Sequence, residues 1–301
     1  MTIDLLINKI KEMRNPSAIG LDTCLDYLPP EMTCGVDGLE SAAEAILEFN
    51  KRIVDAVCGI APAVKVQVAY YEMYGWPGMK AFSETLAYAK KKGMITIADV
   101  KRNDIGSTAA AYSAAYLGGA PVNGKTFTGF ESDFITVNAY LGIDGVKPFL
   151  DDCKKRGKGI FILCKTSNPG SGQLQDLKYE SGRTLYETMG GLISEWGGDL
   201  IGENGYSAAG AVVGATHKEQ AAILRKNMPH TFFLVPGYGA QGGKADDLKI
   251  CFDKDGGGAI VNSSRAILCA YKSEKYRGLM FDKAARQAAT DMRTDLQRIR
   301  E

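Results

Sequence analysis

The sequence predicts a single (β/α)8 barrel. Three observations carry the prediction. Short runs of apolar, largely β-branched residues occur eight times, longer stretches with helical spacing of their apolar positions lie between them, and no repeat, low-complexity tract or Pro/Ser-rich linker interrupts the alternation. Runs apolar on both faces suit parallel strands covered by helices, and alternating strands and helices give a parallel sheet. An open sheet of fewer strands is the alternative, and eight strand–helix units favour closure. The length of 301 residues suits one barrel, since such folds routinely reach about 250 residues or more as one domain. Residues 1–301 are therefore expected to form one domain, with a short N-terminal helix and enlarged loops.

The elements follow in order. Ile3, Leu6, Ile7 and Ile10 share one face of a short amphipathic helix at the start. Ser17 to Asp22 is the first strand; Leu39 to Val57 is a helix, with Ala43, Ile46, Leu47 and Val54 near one face. Ala63 to Val68 is the second strand, followed by a helix from about Gly78 to Lys92. Thr96 to Val100 is the third, followed by an Ala-rich helix from Ser107 to Leu117. Phe134 to Val137 is the fourth, with a helix near Gly145 to Arg156; Gly159 to Cys164 is the fifth, with a helix near Gly182 to Trp196. Ala209 to Val213 is the sixth, with a helix starting near His217; Thr231 to Val235 is the seventh and Ala259 to Asn262 the eighth. The last helix covers roughly Met280 to Arg300.

Composition removes several function classes. Lys+Arg 36 against Asp+Glu 35 leaves a formal charge of +1, whereas a dedicated nucleic-acid binder needs a basic surplus or stripe. Two histidines, His217 and His230, cannot build a multi-histidine metal site. Seven widely spaced cysteines without a C-x-x-C read as reduced thiols of a cytoplasmic protein rather than a disulfide framework. Cys164, inside an apolar strand, reads as a small buried hydrophobe. No apolar run approaches the roughly 18 residues of a membrane span, and the start of the chain lacks the pattern of a signal peptide.

Functional residues of a barrel belong at the C-terminal ends of its strands. The third strand ends Ala98-Asp99-Val100-Lys101-Arg102-Asn103-Asp104. Asp99 and Lys101 are two apart and share a face of an extended strand. The same parity places Lys65 and Gln67 of the second strand on one face, and the first strand ends in Asp22. Inward charges are costly unless paired. Three strand ends supplying charges together therefore favour an alternating Lys/Asp array over solvated loops. The seventh strand ends Pro236-Gly237-Tyr238-Gly239-Ala240-Gln241-Gly242-Gly243 and the eighth Asn262-Ser263-Ser264-Arg265. Glycine-rich and small polar loops free backbone N–H groups for an anion, and the loops after strands 7 and 8 are the usual phosphate site of this fold. The fifth strand ends Lys165-Thr166-Ser167-Asn168-Pro169-Gly170, which suits either an ordinary Ser-Asn-Pro turn or a reader of a polar ring edge.

Asp99-Val100-Lys101-Arg102-Asn103-Asp104, with Lys65 upstream and the Pro-Gly and Ser-Ser-Arg loops downstream, resembles the orotidine 5′-phosphate decarboxylase family. The resemblance runs from about Ala18 to Ile267, and the Lys165–Gly170 and Pro236–Gly243 segments are similar to its longer bacterial-type branch. It implies a cofactor-free homodimeric barrel that converts orotidine 5′-monophosphate to UMP and CO2, the last step of de novo pyrimidine synthesis. It implies that Lys65, Asp99, Lys101 and Asp104 form the catalytic network, with Asp104 and Thr108 reaching the partner subunit's site. It implies ribose contacts from Asp22 and Lys65, a pyrimidine contact from Ser167, and phosphate contacts from Gly237, Gln241, Ser264 and Arg265. The extra length of the chain is expected around Thr33 to Gly38, Gly118 to Ser132 and Gln173 to Arg183.

The residues permit that chemistry. Loss of CO2 leaves a carbanion in the ring plane, and no thiamine, pyridoxal or metal site is evident in the sequence to delocalise it. Preorganised positive charge and an acid are then needed, and Lys101 can supply both. The alternatives are a Mg2+-dependent sugar-phosphate lyase or synthase, a Schiff-base aldolase using Lys65 or Lys101, and a non-catalytic nucleotide-binding barrel. Flanking acids oppose the aldolase, whose lysine needs a lowered pKa.

Overall fold

The computed structural model describes residues 1–239 and 245–299. Eight parallel strands close into a barrel: β1 (Ser17–Leu21), β2 (Ala63–Gln67), β3 (Ile95–Arg102), β4 (Phe134–Val137), β5 (Gly159–Lys165), β6 (Ser207–Val213), β7 (Thr231–Pro236) and β8 (Ala259–Ser263). β1 pairs with both β2 and β8, and the Ser17↔Val261 and Ala18↔Asn262 register seals the ring. The predicted barrel is thus the observed one, strand for strand. β1, β4 and β6 are buried at every position, as strands flanked by helices outside and side chains inside must be.

The helices follow with small shifts. Leu39–Val57, Gly75–Lys91, Ile143–Arg156, Leu185–Trp196, Lys218–Asn227 and Phe281–Arg298 lie within a few residues of expectation. Leu185–Trp196 starts three residues later than its expected Gly182 because Thr184 and Glu187 form a reciprocal capping box there. The expected Ser107–Leu117 helix is α-helical only over Gly106–Ser113 and continues as a π-helical turn to Gly118. The stretch after it folds into an exposed hairpin, Ala120–Val122 with Lys125–Phe127.

Helix Thr2–Met13 buries Ile3, Leu6, Ile7 and Ile10, the face read from their spacing. Thr2 N donates to Gly157 O at 2.8 Å, and Asp4 Oδ1 accepts from Asn204 N at 2.9 Å. Gly157 and Asn204 precede β5 and β6, so this helix covers the N-terminal end of the barrel. The C-terminal end is left for the site. Among the described residues, no helix is long and apolar enough to cross a membrane.

Candidate active site

A cavity of 590 Å³ opens at the C-terminal ends of the strands. Its floor on β5, β6 and β7 is apolar, from Leu163, Val212 and Leu234. Its other side is charged. Lys65 points inward from β2 and is buried, with Nζ 3.0 Å from Asp22 Oδ1 and 2.9 Å from Asp99 Oδ2. Lys101 Nζ lies 2.6 Å from Asp99 Oδ1. Gln67 Nε2 donates to Asp99 Oδ2 at 2.9 Å, and Thr136 Oγ1 donates to Asp99 Oδ1 at 2.8 Å. Each Asp99 oxygen thus accepts two hydrogen bonds, filling the four lone-pair sites of a carboxylate.

Burial and charge oppose each other here, and charge prevails. Burial pushes the Asp99 carboxyl up, yet the Lys65 and Lys101 ammonium groups hold it well below the usual carboxylate range. Burial pushes Lys65 down, yet Asp22 and Asp99 raise it well above an ordinary lysine. Both therefore stay ionised at neutral pH, and the array is an ordered set of charges in which Lys65 and Asp99 are buried while Lys101 is exposed at the cavity mouth.

Local structure aims these groups. Strand parity alone predicts that Lys65 and Gln67 face the cavity while Val64 and Val66 pack outward, and they do. Lys101 is different. Its register with β4 shifts between Ala98 and Arg102, and its backbone is left-handed, with φ 45°. A non-glycine residue there costs on the order of 1–3 kcal/mol unless its surroundings impose it. The hydroxyl of Thr136 imposes it by accepting from Lys101 N at 3.0 Å. Asp22 is steadied from behind. Thr23 Oγ1 donates to Asn50 Oδ1 at 2.7 Å, Asn50 Nδ2 to Tyr71 Oη at 2.8 Å, and Tyr71 Oη to Leu21 O at 3.2 Å, all buried.

The opposite rim is built from the loops after β7 and β8. Gly237, at φ 102°, takes a backbone conformation that favours glycine and lines the cavity. Ser263 Oγ donates to Tyr238 O at 3.1 Å and ties the two loops together. Ser264 and Arg265 also line the cavity, and Arg265 is exposed with no carboxylate partner among the described residues. Ser264 Oγ donates to Asp22 Oδ2 at 2.8 Å and accepts from Asn262 Nδ2 at 3.2 Å, so this rim is hydrogen-bonded to the charged array. Gly20 makes this possible, because a Cβ there would collide with Ser264 Oγ.

Eight of the expected site residues, Asp22, Lys65, Asp99, Lys101, Ser167, Gly237, Ser264 and Arg265, line this one cavity. Asp104 and Thr108 do not. Asp104 accepts from Ile105 N at 2.8 Å outside the cavity, and Thr108 is exposed on the following helix. Gln241 lies outside the described residues. Thr136, Asn262 and the Asn50–Tyr71 support were not singled out in the sequence. Their partners are more than 20 residues away in all but one case, so no local pattern marks them.

A closed parallel barrel whose strand-end cavity carries a lysine–aspartate array on one side and the glycine and small polar loops after β7 and β8 on the other defines a barrel enzyme. The chain belongs to the orotidine 5′-phosphate decarboxylase / HUMPS family, whose model matches residues 34–277. It is 41% identical over 298 residues to an orotidine 5′-phosphate decarboxylase of Clostridium acetobutylicum, covering 99% of both chains. It is 46% identical over 262 residues to that of Rhodopirellula baltica, covering 86% of this chain and 85% of the relative. Among solved structures, the OMP decarboxylase of Leishmania donovani superposes with a TM-score of 0.76 at 28% identity, covering 99% of this chain and 98% of the other.

Proposed function

We propose that the chain, as one barrel domain working in the cytoplasm, decarboxylates orotidine 5′-monophosphate to UMP and CO2. The observation that carries the reading is the Lys65–Asp99–Lys101 array facing a phosphate-type rim across one cavity. The C6–carboxylate bond breaks, its electron pair stays on C6, and CO2 leaves. Lys101 Nζ stabilises the developing carbanion and gives C6 a proton, which it recovers from water. Asp99, locked by four donors, fixes where Lys101 stands. Asp22 and Lys65 take the ribose hydroxyls, Ser167 the pyrimidine edge, and Gly237, Gln241, Ser264 and Arg265 the phosphate. Binding energy from that remote phosphate supports catalysis at a ring that offers few handles itself.

The active form is a homodimer in which Asp104 and Thr108 complete the partner subunit's site. Both residues lie outside this chain's own cavity, and Ile105, Leu141 and Ile143 nearby expose apolar side chains that a partner would cover. The Mg2+-dependent lyase or synthase reading is weaker, because all four acceptor sites of Asp99 are occupied by lysine, glutamine and threonine hydrogens.

Ultraviolet-monitored loss of orotidine 5′-monophosphate, with and without chelator, tests the activity. Turnover insensitive to chelator supports the reading, and no turnover by folded protein refutes it. Mixing Lys101→Ala and Asp104→Ala chains, each expected to be nearly inactive alone, tests the shared site. Regained activity supports sharing, and none refutes it.

A further inference from the structure

Lys165 ends β5 with a fully buried side chain that does not reach the cavity. A buried ammonium must be paired. Its Nζ lies 2.7 Å from Asp176 Oδ1 and 3.4 Å from Ser171 Oγ. The same Asp176 oxygen accepts from Gln220 Nε2 at 3.1 Å, from the helix Lys218–Asn227. Asp176 belongs to the Gln173–Arg183 segment, the extra length without a role in the chemistry above. Its neighbour Gln175 turns onto the loop after β5. Gln175 Oε1 accepts from Thr166 N at 3.0 Å, and Gln175 Nε2 donates to Thr166 Oγ1 at 2.8 Å. Thr166 Oγ1 in turn donates to Asn168 Oδ1 at 2.7 Å.

Ser167 sits between these two residues and lines the cavity with them. Its back is set against Gly214 at the end of β6, where an added Cβ would stand 2.9 Å from Ser167 Cβ. The loop is therefore held on three sides: the Gln175 amide across Thr166, Gly214 behind Ser167, and the Lys165–Asp176 pair beneath. Neither Gln175 nor Asp176 touches the cavity.

We infer that Gln175, anchored by the Lys165–Asp176 pair, is a positioning residue for pyrimidine recognition: the inserted segment clamps the Thr166–Asn168 loop so that Ser167 meets the ring edge. The inference rests on the reading of Ser167 as the base contact. A loop of this kind is mobile unless tied down, and a misplaced contact loses binding to the one part of the ligand it addresses.

The test uses Gln175→Ala, whose side chain is only half-buried, so the fold should survive. UMP and ribose 5-phosphate binding are measured by calorimetry, alongside kcat and KM. Two hydrogen bonds of ordinary strength are removed, so UMP binding should weaken about tenfold. Ribose 5-phosphate, which has no base, should bind as in the wild type. KM should rise more than kcat falls, and Gln175→Glu, which can still accept from the Thr166 N–H, should recover part of the loss. Ser167→Ala should also weaken UMP binding selectively. If Ser167→Ala is selective and Gln175→Ala is not, either leaving UMP binding unchanged or weakening both ligands alike, the clamp is refuted while the base contact stands. If Ser167→Ala is not selective, the base contact fails and the clamp with it.

Discussion

Replacing Thr136 by valine separates the account of Lys101 from a generic charged pocket. Thr136 is buried, and valine nearly matches its shape, so no cavity opens. Two hydrogen bonds are lost: the hydroxyl to Asp99 Oδ1 at 2.8 Å and the Lys101 N–H to the hydroxyl at 3.0 Å. A hydrogen bond to a charged group contributes about 1.5–3 kcal/mol, and a partly buried N–H left without a partner costs about 1–3 kcal/mol. A stability loss of about 2.5–6 kcal/mol is therefore expected, visible as a lower thermal midpoint. Lys101 also loses the contact that holds its left-handed backbone, with φ 45°. If about 1.4–2.8 kcal/mol of this is felt in the transition state, kcat falls about 10- to 100-fold. Thr136→Ser keeps the hydroxyl and should keep most of the rate. The assay is steady-state turnover of orotidine 5′-monophosphate below the unfolding temperature of each variant. A folded Thr136→Val enzyme with kcat within about twofold of wild type would show that this bond does not position the lysine.

Gly20→Ala should push Ser264 Oγ away from Asp22 and break the link between rim and array. Turnover efficiency should drop about 10- to 100-fold, the value of one charge-assisted bond, and a wild-type rate would contradict the link. Stability should show a broad plateau in pH. Asp99, depressed in the fold, contributes fully above its unfolded value of about 4 and loses that contribution as pH falls through its folded pKa. Lys65, raised in the fold, contributes fully below about 10.4 and loses it only as pH rises through its folded pKa. In urea unfolding, the gap between wild type and Asp99→Asn should be flat from about pH 5 to 9 and shrink in acid; a gap that changes near neutrality would refute the assignment. Thiol reagents should modify exposed Cys34 first and leave Cys164 and Cys251 untouched in folded protein, since burial pushes both thiols up to about 12. Mass spectrometry of briefly labelled protein checks the order.

What was legible in the sequence follows its local signals. Two-sided apolar runs located all eight strands, and helical spacing found the buried face of Thr2–Met13. Parity oriented Lys65 and Gln67 correctly because β2 is regular. The same rule brought Lys101 to Asp99 by a simpler route than the chain takes, since Lys101 sits at a register shift in a left-handed conformation. Nothing in Asp-Val-Lys predicts this, because the cause is Thr136 on the neighbouring strand, 35 residues away. Thr136 itself reads only as a β-forming residue in Phe-Ile-Thr-Val. The α-helical end at Ser113 and the hairpin beyond it were also hidden. The helix end is held by a contact distant in sequence, Ser113 Oγ donating to Asp152 Oδ2 at 2.6 Å, 39 residues away. The Lys165–Asp176 pair joins a strand end to the segment that follows its loop, and the sequence offers many carboxylates that could have taken that place.

The central claim is that Lys101 provides the charge and the proton at C6. The most direct measurement compares turnover of orotidine 5′-monophosphate by wild type and Lys101→Ala, with UMP binding measured on both. Lys101 is not part of the rim proposed to hold the phosphate, so Lys101→Ala is expected still to bind UMP while kcat falls at least about 10³-fold, the scale of losing a positioned acid and its electrostatic support. A Lys101→Ala enzyme that binds UMP and retains a rate close to wild type would contradict it.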